Sequence, residues 1–262
     1  MEKQITHSSH GHILTNANVW SPDGRRIVYD VRSDLAGEKF DGNRIETVDV
    51  DTGAIRVLYE SARGAHCGVA TYLPIINRVV FILGPEDPTP HFTYGPARRR
   101  GVMVDESTPG VAIGLDARNL LPPFTTGALR GGSHVHMSSA DGSRISFTYE
   151  DHILPTSHGE LNQRNVGVSV LESLVAVPRH PRNHDGSAFS VLVTRTTDRP
   201  RVGTEEISKA FEDAWIGTNG YLRDDGTRQR WAIAFQGLVA AAHNTAVAEV
   251  FIAVDRWLAD DR

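Results

Sequence analysis

Residues 20–29 read Trp-Ser-Pro-Asp-Gly-Arg-Arg-Ile-Val-Tyr, a turn followed directly by a β-strand. Asp23-Gly24 is a dipeptide that favours a tight turn, and the β-branched and aromatic residues after it favour an extended chain. The same order of turn and strand recurs at residues 141–149, which read Asp-Gly-Ser-Arg-Ile-Ser-Phe-Thr-Tyr. The sequence therefore predicts a fold that repeats a turn-and-strand unit.

Short β-rich runs separated by turn residues continue along most of the chain. Another strand of this kind is Arg78-Val-Val-Phe-Ile-Leu83, and a weaker copy of the unit opens at Asp185-Gly186. Corresponding strand positions recur every 44 to 66 residues, and repeats of this length with several strands each are typical of β-propellers. We therefore predict an all-β fold, a partial β-propeller of about four blades. The predicted blades are residues 12–60, 66–116, 127–178 and 185–255.

Two segments depart from this simple strand pattern. After the capping residue Thr204, apolar residues recur at helical spacing, so we predict one inserted helix at residues 205–216. Residues 231–257 mix helix-favouring and strand-favouring stretches, and there we predict strand, turn and strand, with the turn at residues 243–245. The apolar stripe of the predicted helix consists of Ile207, Ala210, Phe211, Ala214 and Trp215.

Composition excludes several classes of protein. The 262 residues carry 27 basic and 32 acidic side chains, a net charge of −5, without a long block of one sign. Nucleic acids and membrane surfaces attract a concentrated basic face, so neither is a predicted partner. Cys67 is the single cysteine, which excludes an internal disulfide. With no long apolar run and no secretory signal, we predict a cytoplasmic protein.

The stretch around Trp20 resembles the WD40-like motif of TolB-type β-propellers, in which each blade opens with such a turn and strand. Much of the chain, to about Asp255, is also similar to a poorly characterised bacterial family of TolB-like propeller proteins that has no established activity. Members of that family are longer. The resemblance therefore leaves three states open: a truncated product, a closed four-bladed ring, or an open half-propeller that pairs with another copy. The matching stretches are residues 14–24, 84–88, 99–102, 129–136, 164–168 and 206–215.

A more distant resemblance, to the propeller enzyme oligogalacturonate lyase, rests on the pair His134 and His136. That enzyme uses several histidines at a manganese site, including a His-x-His pair, whereas Gly131 stands here where its pattern has glutamine. Residues two apart in a strand point to the same side, so both imidazoles can reach one ion. We predict a site for a divalent metal such as manganese at His66, His134 and His136, with His152 as a fourth ligand or as a partner of a ligand. Histidines that hydrogen-bond to neighbouring blades, with no metal, are the alternative.

Arg99, Arg130 and Glu150 are the candidate ligand-binding residues. Two glycines follow Arg130 and would let a ligand approach the backbone closely. With the histidines, the two arginines would form a cationic mouth suited to a carboxylate or a phosphate. The chain has no complete nucleophilic or phosphate-binding motif. We therefore predict a scaffold that binds a protein or a small anionic ligand. The alternative is a metal-dependent lyase or hydrolase of an acidic sugar, in which Arg130 holds the carboxylate.

Overall fold

The computed structural model describes residues 2–157, 163–242 and 245–254. These residues form three four-stranded antiparallel sheets, one three-stranded antiparallel sheet and two two-stranded ribbons. The described ranges hold one helix, α1 (Ile153–Ser157). No helix within those ranges is long and apolar enough to cross a membrane. The predicted all-β fold class is confirmed.

The first two sheets follow the order of the chain, each strand pairing with the next. Sheet one consists of β1 (Gly11–Ile13), β2 (Arg26–Arg32), β3 (Arg44–Asp49) and β4 (Ile55–Glu60). Sheet two consists of β5 (Cys67–Tyr72), β6 (Arg78–Leu83), β7 (Arg100–Asp105) and β8 (Ala112–Gly114).

The later sheets are joined by short ribbons. A parallel ribbon, β9 (Ala117–Arg118) with β10 (Ala128–Leu129), precedes sheet three. Sheet three consists of β11 (Gly131–Ser138), β12 (Arg144–Asp151), β13 (Asn165–Val170) and β14 (Phe189–Leu192). Sheet four consists of β15 (Ile207–Trp215), β18 (Ile233–Ala240) and β19 (Ala246–Ala253), with the hairpin β16 (Tyr221–Leu222) and β17 (Arg228–Gln229) between its first two strands.

The turns at Asp23-Gly24 and Asp141-Gly142 form by the same hydrogen bonds. The Ser21 hydroxyl donates to the Asp23 carboxylate at 2.6 Å, and Gly24 has a φ of 68°. In the second copy the Ser139 hydroxyl donates to Asp141 at 2.7 Å, and the next residue is again a glycine with positive φ. Glycine is suited to this left-handed conformation because it has no Cβ. The local sequence therefore sets the chain direction into β2 and β12.

The chain divides into two compact units, residues 1–115 with 134–136, and residues 116–133 with 137–262. In the first unit, Val28 and Ile45 of sheet one share a buried apolar core with Phe81 of sheet two. In the second unit, Val168 of sheet three shares one with Ile233 and Phe235 of sheet four. Each unit therefore buries its apolar residues between two consecutive sheets.

The predicted helix at 205–216 is wrong, because these residues form strand β15. Two irregularities interrupt its pairing with β18, between Ile207 and Ala210 and between Phe211 and Ala214. At each one, three residues of β15 span two residues of β18, so one extra residue enters the strand. Two such insertions turn the usual alternation of a strand into apolar spacings of three and four. The spacing that indicated a helix is therefore produced by a doubly bulged strand.

The strands predicted within residues 231–257 are confirmed. β18 and β19 pair continuously from Ile233 opposite Ala253 to Ala240 opposite Ala246. Of the predicted turn, His243 and Asn244 lie outside the described residues. The strand that follows Asp185-Gly186 is β14, which pairs with β13 and supplies the last strand of sheet three. The four blade boundaries stay a prediction.

Candidate functional site

The first strands of sheets two, three and four each contain one residue in the left-handed conformation. These residues are Val69, Val135 and Glu212, with φ of 58°, 51° and 53°. Positive φ is unusual for any residue with a side chain and most unusual for valine. In β5 and β15 the pairing register shifts at this point. Since Val135 lies between His134 and His136, the regular alternation assumed for the paired imidazoles is interrupted there.

His136 lies in the first unit, where the structure brings it close to Arg99. The His136 side chain is fully buried, and its carbonyl oxygen accepts a hydrogen bond from the Thr71 hydroxyl at 2.7 Å. Burial, and secondarily the positive charge of Arg99, lowers the pKa of His136 to about 3. The imidazole is therefore neutral at physiological pH. The nearby guanidinium charge favours an anion over a metal cation at this position.

His66 lies beside an aromatic group in the same unit. Its ring meets the ring of Tyr94 edge-on at 6.2 Å, and Tyr94 stacks on Phe40 at 4.7 Å. The guanidinium carbon of Arg32 lies over the Phe40 ring, 4.3 Å from its centroid. His66 therefore belongs to an aromatic wall. His66 and Tyr94 also line an open pocket of about 220 Å³, whose lining residues are Gly64, His66, Pro85, Pro88, Thr93 and Tyr94.

The other predicted ligand-binding residues form ion pairs inside the second unit. Arg130 donates from Nε and Nη2 to one oxygen of Asp151, at 3.0 and 2.7 Å. Glu150 accepts the equivalent pair of bonds from Arg164, at 3.0 and 2.6 Å. The backbone N–H of His152 donates to the Arg130 carbonyl at 3.0 Å. The charges of Arg130 and Glu150 are thus largely satisfied by neighbouring side chains.

Gly131 has a structural explanation that does not require a ligand. A Cβ at this position would lie 2.0 Å from the carbonyl oxygen of Glu150, far inside van der Waals contact. The close approach is between β11 and the backbone of β12. The glycine therefore allows two strands to pack, where the sequence analysis predicted the approach of a ligand.

Among the described residues, one trio of histidine, cysteine, aspartate or glutamate places its ligand atoms within 4.8 Å of one another: His10, His12 and Glu46. The predicted set of His66, His134 and His136 is not such a trio. Burial lowers the pKa of His12, and the charge of His10 acts in the same direction. This trio could not be predicted from the sequence, because Glu46 is brought to the two histidines only by the folding of sheet one. The signal that the sequence does contain is the His-x-His spacing of His10 and His12.

Strand β19 is exposed to a degree that its counterparts are not. It is third in its sheet, as β3, β7 and β13 are third in theirs, and those three strands are buried along most of their length. In β19 six of eight residues are exposed, and among the described strands it pairs with β18 alone. Val250 is 81% exposed and Ile252 is 56% exposed. Among the described residues, the third strand of sheet four therefore has less cover than the third strands of the other sheets.

Val250 and Ile252 are two residues apart in β19 and lie on one face of sheet four, which we call the open face. Direct cross-strand partners lie on the same side of a sheet. Ala214 of β15 is opposite Ala234 of β18, which is opposite Ile252 of β19. The next rows on this face place Phe211, Gln236 and Val250 together, and Leu238 opposite Ala248.

Comparison with known proteins places the chain beside sequences whose function is not described. A model of the family described as "Protein of unknown function (DUF3748)" matches residues 66–184. The chain is 41% identical over 251 residues to the "Uncharacterized protein YidR" of Escherichia coli (strain K12). That alignment covers 95% of this chain and 56% of the relative, so the chain spans about half the length of the curated relative it matches.

Proposed function

We propose that this chain is a scaffold of the propeller type that binds a protein through the open face of sheet four, and that this protein is a second copy of the chain. The observation that carries the proposal is the exposure of Val250 and Ile252 on that face. A contiguous apolar patch on a folded protein usually marks an interaction surface.

The propeller arrangement is supported by the order of the strands. Each of the larger sheets is a meander in chain order, and within each unit two consecutive sheets share one apolar core. Blades of a propeller are sheets of this kind that pack face to face. The likeness of residues 20–29 to the TolB-type motif points the same way. In such an arrangement a sheet is covered on both faces, and the described residues leave the open face uncovered.

The chemistry of the open face favours a protein over a small ligand. It is an apolar surface across three strands, which another sheet can cover at a spacing of about 10 Å. Fully burying a valine or an isoleucine contributes roughly 1.5–3 kcal/mol. Val250 and Ile252 start largely exposed, so their burial supplies much of this gain.

A second copy is the occupant that the face itself fits. In a two-fold symmetric contact the same patch meets itself, so like charges on the patch would face each other. None of the paired residues in the cross-strand rows above is charged, so these rows carry no such repulsion. It also corresponds to the half-propeller that pairs with another copy, one of the states left open by the sequence.

The test is the oligomeric state of the protein and of two lysine variants. We expect the wild-type chain to be a dimer by light scattering after gel filtration. Val250→Lys would place an ammonium group in the contact, and because burying an unpaired charge is costly we expect dimer affinity to fall at least about tenfold. Val57→Lys changes a valine that is 41% exposed on β4, and it should leave the dimer intact.

Two outcomes would contradict the proposal. A wild-type chain that stays monomeric up to its highest soluble concentration would remove the second copy as the partner. Equal dissociation by both lysine variants would show that the contact does not lie on the open face.

The small anionic ligand predicted from the sequence remains the second candidate. The charge of Arg99 beside the neutral His136 supports it, because that position favours an anion. The predicted lyase would need a metal cation at the same histidine, which the guanidinium charge opposes. Between the two small-molecule hypotheses, the electrostatics favour binding of an anion.

A further inference from the structure

Two histidines and a buried glutamate meet on sheet one, and none of the three belongs to the open face or to the residues predicted to bind a ligand. His10 precedes β1 directly and His12 is its central residue, while Glu46 belongs to β3. The two imidazole rings lie 4.7 Å apart between centroids, tilted by 40°. One nitrogen from each ring and one oxygen from Glu46 all lie within 4.8 Å of one another.

The carboxylate of Glu46 is held in place by its neighbours. Glu46 is buried, and the Tyr29 hydroxyl donates to its Oε2 at 2.8 Å. The Arg44 guanidinium lies 3.6 Å from Oε1. Tyr29 also meets the His12 ring edge-on at 5.0 Å between centroids. One tyrosine thus orients two members of the trio, as residues behind metal ligands commonly do.

The imidazoles supply a second, independent observation. The Nε2 atoms of both His10 and His12 are buried and have no hydrogen-bond partner in the described part of the chain. Leaving a buried polar atom unsatisfied costs about 1–3 kcal/mol, so such atoms in a folded protein call for an explanation. An ion coordinated by both nitrogens would satisfy both of them.

We propose that His10, His12 and Glu46 bind one divalent transition-metal ion of the zinc class. Two imidazole nitrogens and one carboxylate oxygen suit zinc and its first-row neighbours, whereas magnesium and calcium prefer oxygen ligands alone. Zinc bonds of about 2.0–2.2 Å place two ligands of one tetrahedral ion about 3.3–3.6 Å apart. Ligand atoms within 4.8 Å of one another would therefore have to close by at most about 1.5 Å when the ion binds.

The ion would join the chain before β1 to the third strand of the same sheet. Three protein ligands leave a fourth position for water, as in open zinc sites. Binding in the folded state alone would stabilise the first unit, because a ligand that binds only the native form shifts the unfolding equilibrium. His10, which directly precedes β1, would thus help to hold sheet one together.

The test is a titration of protein purified without a polyhistidine tag. We expect one Zn²⁺ per chain by calorimetry, a higher unfolding temperature with Zn²⁺, and a visible absorption band when Co²⁺ replaces it. His12→Ala and His10→Ala should each weaken Zn²⁺ binding at least about tenfold, and Tyr29→Phe should weaken it by about 10–100-fold through lost positioning. His91→Ala removes an exposed histidine of the same unit and should change nothing.

The alternatives give different results. Absence of stoichiometric Zn²⁺ binding would overturn the site. Binding that survives both His12→Ala and His10→Ala but is lost in His66→Ala or His134→Ala would assign the ion to the other histidines and would also overturn it. Because His10 lies ahead of β1, His10→Ala should retain the wild-type circular dichroism, so a loss of binding in this variant is not a loss of fold.

Discussion

Three carboxyl groups of the second unit differ in how their oxygens are bonded. Asp151 accepts hydrogen bonds from Arg130, from the Tyr149 hydroxyl and from two backbone N–H groups. Glu150 accepts two from Arg164. Asp213 receives a hydrogen bond from Ser146, while its Oδ2 is buried with no partner among the described residues. Its charged form is therefore the least well compensated of the three.

Replacing Asp213 by asparagine should stabilise the protein at neutral pH. Burial raises the pKa of Asp213 to about 6 in the folded state, whereas its unfolded value is near 3.8. The folded state therefore holds the proton more tightly, and stability falls as the pH rises from about 4 to 6. The neutral amide resembles the protonated carboxyl group, so Asp213→Asn should gain up to about 3 kcal/mol above pH 6 and nothing below pH 4.

Urea unfolding at several pH values measures this difference directly. Asp224→Asn, which changes an exposed aspartate of the same unit, should stay within about 0.5 kcal/mol of wild type at every pH. A gain from Asp213→Asn that is equally large at pH 4 and pH 7 would mean that charge burial is not its cause.

The strands that could be predicted are those whose sequence signals lie in adjacent residues. The Asp-Gly turns carry their own hydrogen-bonding serine, so the starts of β2 and β12 can be read from adjacent residues. β15 could not be recognised, because its two extra residues are defined by the pairing with β18. The same limit applies to the site. Arg130 was visible in the sequence, but its partner Asp151 is brought to it only by the fold.

Gly131→Ala should destabilise sheet three. The added Cβ would lie 2.0 Å from a backbone oxygen of Glu150, and a backbone atom cannot rotate away as a flexible side chain can. β11 and β12 would have to separate, so we expect a loss of at least about 2 kcal/mol in the free energy of unfolding. Gly217→Ala is the matched control in the same unit, since nothing lies within 4 Å of its Cβ.

Chemical unfolding of the two alanine variants separates the structural from the ligand explanation of this glycine. Gly217→Ala should remain close to wild type. If Gly131→Ala is as stable as the control, the close approach of the strands is not what requires glycine. Access of a ligand to the backbone would then explain the glycine.

The proposed contact between two copies of the chain makes their stability depend on protein concentration. In each unit two consecutive sheets cover one another, whereas the open face of sheet four keeps Val250 and Ile252 exposed. If a second copy covers that face, folding and association are linked, since unfolding releases the partner.

The unfolding temperature of the wild-type chain should therefore rise with concentration. A tenfold increase adds about 1.4 kcal/mol of stabilisation per dimer, which corresponds to a shift of roughly 1 °C for a dimer of two chains of this size. At concentrations where Val250→Lys is monomeric by light scattering, calorimetry should show this shift for wild type and for Val57→Lys but not for Val250→Lys, because only the last variant places a charge in the contact. If Val250→Lys instead stays dimeric over that range and shows a shift of the same size, the association lies elsewhere on the molecule, since the lysine leaves every other surface unchanged.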